Sequence, residues 1–224
     1  MMKKLIALLL ALTCLFAIVS CDDETPDEGN NGDTGNNGNQ VVLADFSKIV
    51  ENSKPTKVTT FVDYGGVDNL KGRYVTLSDG NGNSSFSYEY QRYATIAESN
   101  ADGRIKTVKG VTYFKDGEYY KTEGDALEGD AVDSVVSFSL RMEADKFKTL
   151  EYSENGNSAV GTLSASDTER VLGVSIDAKD VVTVEITTNG NYVYAISISY
   201  TTQNGANVLI NTTYDYVPVV INLD

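Results

Sequence analysis

The last third of the chain alternates apolar and polar side chains with a period of two, and this restricts it to β-strands. The pattern covers residues 181–188, 192–201 and 207–216, which are joined by short loops rich in Asn and Gly. Successive side chains of a strand point to opposite faces. We therefore predict an antiparallel unit in which one face of the middle strand is apolar, formed by Tyr192, Tyr194, Ile196, Ile198 and Tyr200.

The same period recurs upstream, in runs separated by turn-forming residues. We predict further strands over residues 56–64, 73–77, 85–93, 106–115, 118–122, 136–142, 147–152 and 158–164. Asp116-Gly117 supplies the turn of a tight hairpin. Helical spacing begins at Ala44 or Asp45, and a capping box from Ser166 to Glu169 opens a second short helix that Gly173 ends.

These elements predict a mostly β fold. We expect a single curved antiparallel sheet or half-open barrel of roughly ten strands, with one or two short helices. A closed barrel and a sandwich satisfy the same alternation of apolar and polar faces, so the pattern leaves them open.

The N-terminus predicts export. Lys3 and Lys4 precede an apolar run over residues 5–19, which is too short for a comfortable bilayer span and typical of a signal peptide. Ile18-Val19-Ser20-Cys21 resembles the lipobox of bacterial lipoproteins. That resemblance implies cleavage before Cys21 and attachment of a diacylglycerol to its thiol. Acyl chains in sufficient number anchor a soluble domain stably.

The chain then divides into three parts: a signal peptide over residues 1–20, a lipidated cysteine with an acidic tether over 21–40, and an all-β domain over 41–224. Residues 22–40 hold six acids, no base and no large apolar side chain, so we expect a flexible linker. The net charge of −14 argues against nucleic-acid binding. We expect an extracytoplasmic protein, lipid-anchored to the cell membrane, or to the outer membrane or cell surface in a diderm.

The residue inventory argues against most catalytic chemistry. There is no histidine, and the only cysteines are Cys14 and Cys21, so Ser-His-Asp, Cys-His and histidine- or thiolate-ligated metal sites have no residues to build them. We predict no enzyme activity, no catalytic residue, no metal and no cofactor. Two weaker options remain: a calcium loop at Asp79, Asn81 and Asn83, and a carboxylate hydrolase using acids such as Glu89, Glu118, Glu123, Glu151 and Glu185.

Tyrosine is the unusual component, with 14 residues against seven phenylalanines. Its apolar ring and polar tip suit cavity mouths and binding surfaces, although tyrosine also simply favours strands. The candidate ligand-facing residues are Tyr88, Tyr90, Tyr192, Tyr194, Ile196, Ile198 and Tyr200.

The lipidated leader, the opening helix, the antiparallel strands and the tail 212–221 resemble the periplasmic lipoprotein-carrier and mycobacterial lipid-binding lipoprotein group. The resemblance spans about residues 41–224 and implies a half-open barrel that holds acyl chains in an apolar cavity. The leading hypothesis is therefore a non-enzymatic lipoprotein that binds a lipid or acyl chain, with the membrane as a partner through Cys21. The alternative is an adhesin-like surface module that binds protein or glycan. Ligand identity, partner proteins and oligomeric state are left open.

Overall fold

The computed structural model describes residues 47–66, 69–95, 104–126, 146–154, 156–172 and 176–223. Ten strands in these ranges form one antiparallel sheet. The strands are β1 (Lys57–Tyr64), β2 (Leu70–Ser78), β3 (Ser84–Tyr93), β4 (Ile105–Lys115), β5 (Glu118–Gly124), β6 (Thr149–Tyr152), β7 (Ser158–Ser164), β8 (Val181–Thr188), β9 (Val193–Thr201) and β10 (Asn207–Asp215).

The sheet consists of two meanders, β1–β5 and β6–β10, which are joined by the pairing of the first strand with the last. Its order is β5-β4-β3-β2-β1-β10-β9-β8-β7-β6, so β1 and β10 pair in the middle while β5 and β6 form the edges. The β1–β10 ladder runs from Lys57 opposite Asp215 to Tyr64 opposite Val208. The sheet is open, which confirms the prediction of a single antiparallel sheet of about ten strands and decides against a closed barrel or a sandwich.

The two-residue period of the sequence produces one continuous buried face, here called the inner face. Residues that pair across neighbouring strands form rows perpendicular to the strands. One buried row crosses seven strands through Tyr88, Tyr74, Thr60, Thr212, Ile196, Ile186 and Ala159. The opposite face, here called the outer face, is mostly polar and exposed, as expected for an antiparallel sheet covered on one side.

Turn chemistry fixes the register of the hairpins. Asp116 and Gly117 both adopt positive φ, at 53° and 79°, and join β4 to β5. A two-residue turn with positive φ at both positions matches the right-handed twist of the strands that it connects. The predicted Asp-Gly hairpin is confirmed.

Short helical segments pack on the inner face. Residues 47–52 are helical (α1), and the predicted start of this helix lies outside the described residues. A 3₁₀ turn, Ala165–Asp167, leads into α2 (Thr168–Leu172). Val50 of α1, and Val171 and Leu172 of α2, join the hydrophobic core.

The predicted capping box at Ser166 is wrong. Strand β7 ends at Ser164, and the 3₁₀ turn follows at once, so Ser166 lies inside the turn rather than before it. Ser164 occupies the cap position in an extended conformation without a side-chain cap hydrogen bond. Its hydroxyl contacts Ser166 and Asp167 instead.

Several predictions fall on residues outside the described ranges: the signal peptide, Cys21, the tether, the strand over 136–142 and Gly173. Within the described ranges, every helix is too short and too polar to cross a membrane.

Candidate functional site

The inner face has two chemically different halves. From β7 to β10 its buried side chains are mostly aliphatic, with Leu163, Val182, Val184, Ile186 and Ile198 at or near zero exposure. On β2 and β3 the same rows continue with aromatic rings. Tyr74, Tyr88, Tyr90 and Phe86 form this group, which we call the aromatic wall.

The rings of the aromatic wall contact one another in a chain. Tyr74 stacks with Phe86 and with Tyr90 at centroid distances of 6.2 Å in each case. Tyr88 lies 5.8 Å from Phe86 and 6.3 Å from Tyr90. These separations are typical of favourable aromatic pairs. Tyr74, Tyr88 and Tyr90 are only 4%, 3% and 3% exposed, whereas Phe86 is partly exposed at the margin.

Two of these rings lie flat along the sheet because glycine stands beneath them. A Cβ at Gly72 would sit 2.8 Å from both Cε2 and the hydroxyl oxygen of Tyr74. A Cβ at Gly110 would sit 2.6 Å from the Tyr88 hydroxyl oxygen. Glycine at these positions lets the rings approach the strand backbone more closely than any larger residue would allow.

The tyrosine hydroxyls give the aromatic wall polar points. Tyr88 donates a hydrogen bond of 2.5 Å to the carbonyl oxygen of Asp125, just beyond β5. Burial raises the pKa of Tyr88 above its ordinary value. Burial also raises the pKa of Tyr74, and the neighbouring Tyr64 and Tyr90 add to the effect. These phenols therefore stay neutral over the physiological pH range.

A buried hydroxyl pair lies where the two halves meet. Thr60 of β1 and Thr212 of β10 are directly opposite each other, and their Oγ1 atoms are 3.0 Å apart. Both side chains are buried, so each hydroxyl depends on the other for its hydrogen bond.

The structure places the site residues predicted from the sequence in different parts of the sheet. Tyr88 and Tyr90 lie in the aromatic wall, and Ile196 and Ile198 lie on the same face within the aliphatic half. Tyr88 and Ile196 share a row but are separated by four strand spacings, or about 19 Å. Tyr200 is partly buried, and burial, with smaller effects of Tyr64 and Asp177, raises its pKa to about 12.

The prediction that Tyr192 and Tyr194 share the buried face of Ile196 is wrong. β9 pairs Ala195 with Thr187 but Val193 with Thr188, so a β-bulge interrupts the alternation. Val193 takes the buried position and Tyr194 is 56% exposed. A bulge inserts one residue into a strand and redirects its side chains, and no two-residue pattern signals it.

Contacts from both ends of the described domain hold the bulge. The backbone N–H of Val193 donates to Ser53 Oγ at 2.8 Å, and its carbonyl oxygen accepts from the Tyr216 hydroxyl at 2.7 Å. Tyr216 also stacks on Tyr192 at 4.6 Å. Tyr192 thus belongs to this junction, and the ligand-facing role predicted for it receives no support from its position.

Of the carboxylates considered for hydrolysis, Glu151 and Glu185 share a row through Val160, two strand spacings or about 10 Å apart. The five glutamates, Glu89, Glu118, Glu123, Glu151 and Glu185, are all solvent-exposed. At the proposed calcium loop, desolvation opposes ionisation of Asp79, but hydrogen bonds from Asn81 and Asn83 outweigh it and lower the pKa. The Asp79 carboxylate accepts these bonds as part of an ordinary hairpin loop. Among the described residues, no group of three or more potential metal ligands comes together.

Sequence reasoning missed Tyr74, Thr60 and Thr212 as members of the inner-face rows. Alternation within β1 did place Thr60 between Val58 and Val62, which was a usable signal. The partnership of Thr60 with Thr212 required the pairing of the first and last strands, which the sequence pattern does not specify.

Comparison with known proteins adds little. No family model and no curated protein matches the chain. One similar solved structure is the hypothetical protein CT021 from Chlamydia trachomatis, at 10% identity and a TM-score of 0.33, covering 81% of this chain and 98% of that one. Another is the LolA superfamily protein NE2245 from Nitrosomonas europaea, at 12% identity and a TM-score of 0.28, covering 81% and 94%. Similarity at this level carries no inference about what the chain binds.

Proposed function

We propose that the protein is a membrane-anchored, extracytoplasmic binding protein that holds a lipid or acyl chain against the aromatic wall of its inner face. No covalent step is involved. The observation that carries the proposal is the change from aliphatic to aromatic side chains along the inner face of the sheet. The aliphatic half is built of branched side chains, whereas the β2–β3 half is built of contiguous aromatic rings, of which Phe86 at the margin is partly exposed and the three tyrosines are buried.

The energetics favour an apolar ligand. Burial contributes about 25 cal/mol per Å² of apolar surface, or about 0.8 kcal/mol for each methylene of an acyl chain. Flat rings accept such a chain without matching its shape. The neutral Tyr74 hydroxyl adds a hydrogen-bonding point for a carboxyl or ester group, whereas the Tyr88 hydroxyl hydrogen is already donated to Asp125.

The charge of the protein limits which lipids it takes. With a formal net charge of −14, the chain repels anionic headgroups at long range. Fatty acids in their neutral form, and zwitterionic or uncharged lipids, are therefore the expected ligands.

The wall is tested by comparing two Phe→Ala substitutions on opposite faces. Phe86→Ala removes the partly exposed ring of the wall, whereas Phe61→Ala removes a ring that is 48% exposed on the outer face. We expect Phe86→Ala to weaken binding of a fluorescent zwitterionic phospholipid about tenfold, in line with the 1.5–3 kcal/mol contribution of a buried aromatic ring. Phe61→Ala should bind as the unchanged protein does.

Thermal unfolding of both variants checks that they remain folded. Absence of fatty-acid and phospholipid binding by the unchanged protein would refute the proposal. So would an equal loss in the two folded variants, because binding would then not depend on the inner face.

The proposed anchor is tested separately at Cys21. Bacteria expressing the chain and fed radiolabelled palmitate should incorporate label into it, and Cys21→Ser should abolish the label and release the protein from the membrane fraction. Cys14→Ser is the matched control and should leave both unchanged. Label that persists in Cys21→Ser would exclude lipidation at this residue.

A second candidate function, a surface-interaction module, is favoured by the aromatic rings at the β5 edge. Tyr119 and Tyr120 are 64% and 48% exposed there. Lys121 Nζ lies 5.3 Å from the Tyr113 ring and 5.9 Å from the Tyr120 ring. Tyrosine side chains are enriched at protein interfaces. If the lipid-binding test fails, this edge becomes the preferred binding surface.

A further inference from the structure

The outer face carries a cleft that the lipid-binding proposal does not involve. It measures about 550 Å³ and opens to solvent across one end of β8, β9, β10 and β1. Small-molecule sites are about 300–1,000 Å³ in volume, so the cleft has room for a small ligand.

Differences in side-chain size produce the cleft. Ser199 and Thr201 of β9 line it, and Ser199 pairs with Thr183 of β8 and Leu209 of β10. Val181 and Leu209, which also line the cleft, are exposed large side chains on the neighbouring strands. Short side chains on the middle strand between longer ones on its neighbours leave a trough.

Two carboxylates mark opposite ends of this trough. Asp63 belongs to β1, Asp180 directly precedes β8, and both line the cleft. The row through Asp63 reaches Thr183 on β8, three strand spacings of about 4.8 Å away, and Asp180 lies three residues before Thr183. The offset of about 10 Å along the strand direction brings the separation of the two backbone positions to roughly 17 Å. This is wider than the ~9.5 Å upper limit for the acid pair of a glycosidase. Among the described residues that line the cleft, none is a lysine or arginine.

The floor between the carboxylates offers acceptors for a hydrogen-bond donor. Thr201 donates its hydroxyl hydrogen to Asn207 Oδ1 at 3.0 Å. Its oxygen keeps lone pairs for an N–H group of a ligand. The apolar side chains of Val181 and Leu209 provide surface for methylene groups alongside.

Lys71 competes for one of the carboxylates. Its Nζ is 3.8 Å from Asp63 Oδ2, and the two side chains are 62% and 44% exposed. An ion pair this exposed contributes little, so a second cation can displace or join it.

We propose that the cleft binds a linear polyamine, with one terminal ammonium at Asp63, the other at Asp180, and the chain lying along the hydroxyl-lined floor. Two anions far apart, acceptors between them and apolar flanks match an extended aliphatic dication. They do not match a compact monovalent amine. The inference is independent of the lipid-binding proposal and concerns the opposite face of the sheet.

The test is isothermal titration calorimetry of the full chain with spermidine at low ionic strength. Asp63→Asn and Asp180→Asn should each lower the affinity about fivefold, the effect of one solvent-exposed charge pair at about 4 Å. Glu118→Gln removes the same charge from the far β5 edge and should leave the affinity unchanged. Lys71→Gln should raise the affinity, because it removes the competing cation.

Ligand controls separate the site from general attraction to an acidic protein. Butylamine carries one charge, and cadaverine falls well short of the distance between the carboxylates, so both should bind at least tenfold more weakly than spermidine. Equal losses in Glu118→Gln and the cleft variants would overturn the proposal, as would equal binding of butylamine and spermidine. Binding of a dilysine peptide in the absence of spermidine binding would also overturn it and identify a basic peptide as the occupant.

Discussion

Replacing Gly72 by alanine sets two physical effects of opposite sign against each other. Gly72 does not have positive φ, so its backbone suits any residue, and intrinsic propensity alone predicts that alanine stabilises the strand by about 0.5–1 kcal/mol. The new Cβ, however, would lie 2.8 Å from Cε2, 2.8 Å from the hydroxyl oxygen and 3.0 Å from Cζ of Tyr74. The ring would have to move away from the sheet.

The aromatic wall restrains that movement. Tyr74 is buried and stacks with Phe86 and Tyr90, so moving its ring disturbs two further contacts. Overpacking a core in this way costs about 1–3 kcal/mol. After subtracting the propensity gain, which leaves a range of about 0–2.5 kcal/mol, we expect Gly72→Ala to lower the free energy of unfolding by about 1 kcal/mol.

A double-mutant cycle isolates the cause. Urea unfolding is measured for Gly72→Ala, Tyr74→Leu and the double variant. With the ring removed, the same Gly72→Ala change should become neutral or stabilising. A stabilising effect of Gly72→Ala while Tyr74 is present would refute the claim that the ring lies tightly over this glycine. An equal destabilisation in both backgrounds would refute it too.

Three further predictions concern the polar contacts of the inner face and the bulge. Thr60→Val should cost about 1–2 kcal/mol because it leaves the Thr212 hydroxyl buried without a partner, and in urea unfolding the double Val variant should cost less than the sum of the singles. Ser53→Ala and Tyr216→Phe each remove one hydrogen bond to the bulge of β9 and should each lower the free energy of unfolding in urea by about 1 kcal/mol; an unchanged value in both variants would contradict this. The pKa of Tyr200 is raised from 10.0 to about 12, so its contribution to stability is complete below pH 10 and is lost as the pH rises towards 12. Tyr200→Phe should therefore make the decline of the urea-unfolding free energy at alkaline pH shallower. An unchanged decline would contradict the raised pKa.

The sequence allowed most of the strands to be predicted because their side chains alternate. The predicted ranges 158–164 and 181–188 coincide with β7 and β8, and the other described strands differ by a few residues at their ends. Positive φ at Asp116 and Gly117 depends on local residue type alone, which is why that hairpin was predictable.

The structural features that the sequence did not predict depend on contacts between segments far apart in the chain. The bulge at Val193 is stabilised by Ser53 and Tyr216, 140 residues before it and 23 after it. The pairing of β1 with β10, which joins Thr60 to Thr212, is equally non-local. The division of the inner face into aliphatic and aromatic halves follows from the order of the strands in the sheet. The sequence pattern does not specify that order, and the prediction therefore placed Tyr88 and Ile196 in one site although four strand spacings separate them.

The central claim is that the inner face holds a lipid, and native mass spectrometry of the protein purified from an expressing bacterium tests it most directly. The account predicts a bound species at near one-to-one stoichiometry that lipid extraction identifies as an acyl lipid, and that is depleted in folded Phe86→Ala but retained in Phe61→Ala. A mass corresponding to the protein alone, unchanged after incubation with fatty acid or phospholipid, would contradict the claim.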